Sequence, residues 1–140
     1  MRCFFSANFW RDDGTITYML KPIVGLFILL ALVFAAVHTV AVKMSLYWYF
    51  SWFDVVMHLF GGLLIALGMV SLTSFRSVSL KPSLKLLLAF LFPIIISWEV
   101  FEWFAGLSHP ATAVYDVSKD LLVGFVGAIG GYWLIQKNNS

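Results

Sequence analysis

A chain of 140 residues that is 61% hydrophobic and 11% charged is not an ordinary water-soluble domain, in which about a quarter of residues are charged. Its mean hydropathy of +0.93 indicates an integral membrane protein, and one domain suffices for the length with no large aqueous domain left over. The net charge of +2 is spread over loops, which excludes a polybasic nucleic-acid footprint, and the single cysteine, Cys3, excludes an internal disulfide or a multi-cysteine metal site.

Residues 1–21 are mixed in character, and Phe4, Phe5, Phe9 and Trp10 suit either an interfacial segment or a loose tail. No apolar segment precedes Cys3, so a lipoprotein-type anchor is not expected. Four windows then provide the roughly 20 apolar residues that a transmembrane helix requires: 23–42, 53–74, 84–104 and 117–135. The first is read as a retained span, because its leading segment is long and no small-x-small cleavage site follows. The expected fold is therefore all-α, a bundle of four transmembrane helices over residues 22–136, followed by a short tail at 137–140.

Arg2, Arg11 and Lys21 precede the first span, Arg76, Lys81 and Lys85 separate the second and third, and Lys137 follows the fourth, whereas only Lys43 and Lys119 lie on the other side. The positive-inside bias predicts a multi-pass protein of the cell (inner) membrane with both termini cytoplasmic. The aromatic run at 46–53 then becomes an outer interfacial belt.

Five of the seven acidic residues fall in or at the ends of the apolar windows, in helical pairs with one histidine: Asp54 with His58, Glu99 with Glu102, Asp116 with Asp120. Residues three or four apart share a helix face, and ionisable groups within a bilayer are costly enough to mark functional sites. In the predicted topology His38, His58, Glu99 and Asp120 all lie roughly 5 to 8 Å below the outer boundary. Hydrocarbon offers carboxylates no partner, so the three faces are expected to converge inside the bundle. Gly124, Gly127, Ala128 and Gly131 continue the Asp116 and Asp120 face, and Gly61, Gly62 and Ala66 continue near that of His58. The second and fourth helices should therefore pack closely, with the end of the third completing a pocket. Pro93 is expected to kink the third helix.

Simpler roles compete for some of these residues. Ser51-x-x-Asp54 fits a capping box, and Asp116 could serve only as an acid at a helix N-terminus. The dipole argument fails for Glu99 and Glu102, which lie at a C-terminus. His58 and Asp120 are read as functional, whereas His38 reads as a packing residue and His109 as a loop residue. The clustered charges require protonated acids, penetrating water or a bound cation. An oxygen-rich set with histidine suits Mg²⁺, Mn²⁺, Fe²⁺ or Zn²⁺. The leading expectation assigns His58, Glu99, Glu102 and Asp120 as metal ligands, with Asp54 and Asp116 as supporting acceptors or a catalytic general base. The substrate would be an amphiphilic or lipid-linked envelope molecule. An ion- or proton-binding transport component and a non-catalytic accessory subunit are the alternatives, and a homodimer is compatible with all three.

The ordered motifs Phe53-Asp54-x-x-x-His58-x-x-Gly61-Gly62, Trp98-Glu99-x-x-Glu102-Trp103 and Tyr115-Asp116-x-x-x-Asp120-Leu121, followed by Gly127-Ala128, resemble those of the DUF2238 (YjdF-like) small membrane proteins. They are more distantly similar to the VanZ-like proteins. The resemblance covers about the last 90 residues and implies an envelope-associated membrane protein, without supplying a reaction. Related patterns carry a further acid eight residues after the first aspartate of the last motif, where this chain has Gly124. The VanZ-like pattern has Asn where Asp120 stands and Gln near Glu102.

Overall fold

The computed structural model describes residues 22–75, 80–106 and 113–138. The N-terminal segment 1–21, Arg76 and His109 lie outside the described residues. Among them the chain forms five helices, in the order α1 (Pro22–Lys43), α2 (Leu46–Tyr49), α3 (Ser51–Thr73), α4 (Leu84–Phe104) and α5 (Ala113–Asn138). Three of these helices, α1, α3 and α4, are long and apolar enough to cross a membrane. α5 is longer still at 26 residues. Asp116, Lys119 and Asp120 near its start, and its glycines, lower its apolar character.

Local chemistry accounts for the boundaries. Pro22 occupies the first position of α1, where a missing N–H costs nothing, and Lys43 closes the last turn, where a cation is favoured. Ser45 turns the chain in the left-handed region at φ 56°, and a single extended residue, Phe50, links α2 to α3. At the end of α3 the hydroxyls of Thr73 and Ser74 donate to the carbonyls of Val70 and Ser71, occupying acceptors that the terminating helix leaves free. Ser83 caps α4 by accepting from the Leu86 N–H at 3.2 Å. Gly106, at φ +69°, closes α4 with its N–H donated to the Trp103 carbonyl.

The helical windows match the expected spans closely at the first three. The fourth helix starts earlier than the apolar window, because its polar first turns keep helical backbone geometry although they contribute little hydropathy. Pro93 lies inside α4, and the carbonyl of Pro93 accepts the Ser97 hydroxyl at 2.6 Å.

α3 is the central helix: it contacts α1, α4 and α5, and its pairing with α5 is the most extensive in the molecule. A Cβ on Gly62 would collide with the Gly124 carbonyl, and one on Gly127 with the Leu59 carbonyl. The backbones of α3 and α5 thus touch, as the spacing of small residues predicts. Ala128 is fully buried in this seam, and Leu87, Leu91 and Ile95 bring α4 against the same core. Outward, Leu29, Leu32 and Val33 of α1 are more than half exposed. Such a face would be a liability in water but meets no penalty against lipid tails.

Because carbonyl oxygens of the partner helix occupy the Cβ positions, Gly62→Val or Gly127→Val is expected to lower the apparent melting temperature sharply, by the equivalent of about 3 kcal/mol or more. Gly130, with open space where its Cβ would stand, should accept alanine with no loss. Thermal unfolding in detergent, followed by size-exclusion fluorescence, would compare the three variants.

Candidate functional site

The first turns of α3, the last turns of α4 and the first turns of α5 lie at the same end of the bundle, as alternating helix directions require. At that end His58 is the hub. Its Nε2 lies 3.4 Å from Asp54 Oδ1, 3.8 Å from Glu102 Oε2 and 3.9 Å from Asp120 Oδ2, while Nδ1 lies 3.9 Å from Glu99 Oε1. Four carboxylates from three helices therefore surround one imidazole. The His58 and Asp120 side chains are only 6% and 4% exposed, Glu99 and Glu102 are 10% and 9%, and Asp116 opens further toward the surroundings at 34%.

Lys119 supplies the fixed positive charge of the cluster. Its Nζ donates to Asp54 Oδ2 at 3.2 Å and stands 3.4 Å from Asp120 Oδ1 and 3.9 Å from Asp116 Oδ1. It ties α5 to α3 across the glycine seam. Asp54 is thus shared between the lysine and the imidazole.

The capping role open to Asp54 in the sequence is not its role in the structure. Phe50, rather than Ser51, is the N-cap of α3, and no side chain caps the helix. With α2 ending one residue before α3 begins, Ser51 is already helical and the box Ser51-x-x-Asp54 cannot form. Asp54 turns instead toward His58 and Lys119.

Two overlapping sets of side chains can each bring three ligand atoms within 4.8 Å of one another: Asp54, His58 and Glu102, and His58, Glu99 and Asp120. His58 Nε2, Glu99 Oε1 and Asp120 Oδ1 are buried without a hydrogen-bond partner. Buried polar atoms are nearly always paired; here Asp120 Oδ1 has the Lys119 ammonium at 3.4 Å, and His58 Nε2 faces carboxylate oxygens at 3.4 to 3.9 Å. All six residues singled out by sequence are thus placed at one end of the bundle, with His58, Glu99, Glu102, Asp120 and Asp54 in direct proximity and Asp116 at the rim beside Lys119.

His38 forms no ion pair with the carboxylates among the described residues. Its Nδ1 forms a 2.7 Å hydrogen bond with the Tyr47 hydroxyl, and its ring meets Trp98 edge-on at 4.9 Å. Burial, and then the nearby carboxylates of Glu102 and Asp54, push the Tyr47 phenol above its usual range, so it remains protonated. Sequence assigns Tyr47 only to the interfacial belt and Lys119 only to the charges near the cluster; the structure pairs the first with His38 and bridges Asp54 and Asp120 with the second. The signals available were the tight turn after Lys43, which folds residue 47 back toward residue 38, and the position of Lys119 three residues after Asp116.

Removing Lys119 leaves Asp54 and Asp120 facing each other without a counter-charge. Lys119→Met should reduce stability by about 1–3 kcal/mol, and adding Asp54→Asn should recover part of that loss, a coupling that a double-mutant cycle in thermal unfolding would detect. Unchanged stability in the single variant would show that the ion pair carries no structural weight.

The sequence profile of a family described as "Predicted membrane protein (DUF2238)" matches residues 15–138. No curated protein and no solved structure gives a significant match. The matched stretch includes every helix described and every residue of the His58 cluster, and the chain belongs to the DUF2238 family of membrane proteins.

Proposed function

We propose that this protein is a four-span membrane protein that holds a divalent cation among His58, Glu99, Glu102 and Asp120 and uses it on the polar end of an amphiphilic or lipid-linked envelope molecule. The observation that carries this reading is the set of unpaired, buried atoms His58 Nε2, Glu99 Oε1 and Asp120 Oδ1. With His58 in its neutral form each offers a lone pair, and a cation would draw on all three while offsetting the excess of carboxylates and displacing Lys119 from its 3.4 Å approach to Asp120 Oδ1. Oxygen ligands with one imidazole suit Mg²⁺, Mn²⁺, Fe²⁺ or Zn²⁺. A bound ion of this kind would polarise a phosphoryl or carbonyl oxygen or acidify water.

Asp54, held by Lys119 beside His58, suits a supporting acceptor and is a further candidate ligand. Asp116, more exposed at the rim, suits a general base that exchanges its proton with solvent. α5 as a fourth span is supported by its length, about 39 Å at the helical rise against a hydrocarbon core of about 30 Å. The positive-inside bias favours a cluster facing outward.

A through-path for ions has less support. Away from the cluster, Ser71, Thr73 and Ser74 are buried and each hydroxyl donates to a backbone carbonyl. Among the described residues, the far half of the core offers no other buried polar side chain.

Elemental analysis of protein purified without chelators should find near-stoichiometric divalent metal in the wild type, with Glu99→Gln and Asp120→Asn binding about tenfold or more weakly. Added Mn²⁺ at about 100 times its Kd should stabilise the wild type by about 2.7 kcal/mol. Equal, substoichiometric metal in all three proteins would overturn the reading. In a Cys3→Ser background, a cysteine placed at Ser51 should react with an impermeant maleimide from outside intact cells and one at Lys81 should not. The reverse pattern would invert the orientation.

A further inference from the structure

Beside the cluster, α1 and α4 both lean on α3 but do not pack backbone to backbone against each other. Between them lies a cleft of about 660 Å³, within the range of about 300–1,000 Å³ typical of small-molecule sites. α3 forms its floor, and the walls come from α1 residues such as Phe27 and Ala31 and α4 residues such as Ile94 and Trp98. Along α3 the lining runs from Met57 to Leu72, about 22 Å at the helical rise. This is a long, narrow shape rather than a rounded one.

Only one end of the cleft has a side chain of the cluster in its lining. His58 lines it at the cluster, next to Trp98, whose neighbour in sequence is Glu99. At the other end Ser71 is the polar lining residue, and its hydroxyl is occupied by the Ile23 carbonyl at 3.2 Å. Near the polar end, Phe34 and His38 of α1 reach Trp98 of α4, with ring centroids 6.1 and 4.9 Å apart, so aromatic rings span the gap there. Gly61 contributes floor without a side chain, and a Cβ there would meet only Phe34 at 3.9 Å.

We propose that the cleft seats one hydrocarbon chain of a membrane amphiphile whose phosphate-bearing head lies at the His58 end, bridged to the carboxylates by the cation. This rests on the metal-dependent reading above and names the substrate class for that site. An apolar channel with one polar terminus matches a molecule with one polar terminus. The carboxylates around His58 would repel a phosphate directly, so the head binds only when a cation lies between them. By linkage, head and metal then strengthen each other's binding by the same factor.

Native mass spectrometry of the full-length protein would measure binding of a sixteen-carbon lysophosphatidate with Mn²⁺ or with EDTA, and of a choline-headed lysolipid of equal chain as a control. The expected result is one lysophosphatidate per chain, about tenfold weaker in EDTA, with the choline-headed probe weaker and insensitive to Mn²⁺. Gly61→Leu and Ala31→Phe, which fill the cleft, should each weaken lysophosphatidate binding about tenfold or more while leaving the metal content unchanged. Unchanged lipid binding in both filled variants would overturn the cleft assignment whatever the metal content. Equal binding of the two probes would overturn the placement of the head. Chain binding that is lost on filling the cleft, in a wild type that holds no metal, would uphold the cleft and remove the cation reading. A photoreactive group at Ile65 that cross-links to residues 1–21 rather than to lipid would assign the cleft to the protein's own N-terminal segment and likewise overturn the proposal.

Discussion

Acidic side chains within an apolar bundle must find positive charge or donors at close range, because removing them from water costs more than their attraction for a distant partner returns. Here that requirement is met at one level of the structure. His58 and Lys119 gather carboxylates from α3, α4 and α5 within 4 Å, so the three helix ends are held in register by charge as well as by packing. His58 Nε2, Glu99 Oε1 and Asp120 Oδ1 remain buried there without a hydrogen bond.

The glycine seam makes that convergence possible. Gly62 and Gly127 let the α3 and α5 backbones touch, and only at this separation can Lys119 on one helix reach Asp54 on the other. Gly124 belongs to the same contact: its carbonyl faces Gly62, and a Cβ there would stand 2.9 Å from Ile95 Cδ1. A side chain at this position would have to move the tip of Ile95, so the absence of one lets α4 close on the α3–α5 seam.

On the other side of α3 the packing is looser. α1 leans on the central helix through Ile23, Val24 and its aromatic residues and leaves α4 at a distance. One face of α3 is thus committed to backbone contact with α5 and the opposite face to an open apolar cleft, and His58 belongs to both environments.

Much of this was readable from residue order. Hydropathy windows located α1, α3 and α4 because a spanning helix needs an uninterrupted apolar length, and the three- and four-residue spacing of Asp54, His58, Glu99, Glu102, Asp116 and Asp120 put each pair on one face because helical periodicity is local. That lipid excludes such faces was enough to predict their convergence. Tertiary structure alone decided what depends on how helices meet: Asp54 serves Lys119 and His58 rather than a cap, because Phe50 joins α2 and α3 without a spare residue. His38 pairs with Tyr47 and Trp98 rather than with the acids, and a cleft opens between α1 and α4. Those outcomes are set by interhelical distances and by competition among partners far apart in the chain, neither of which local sequence pattern encodes.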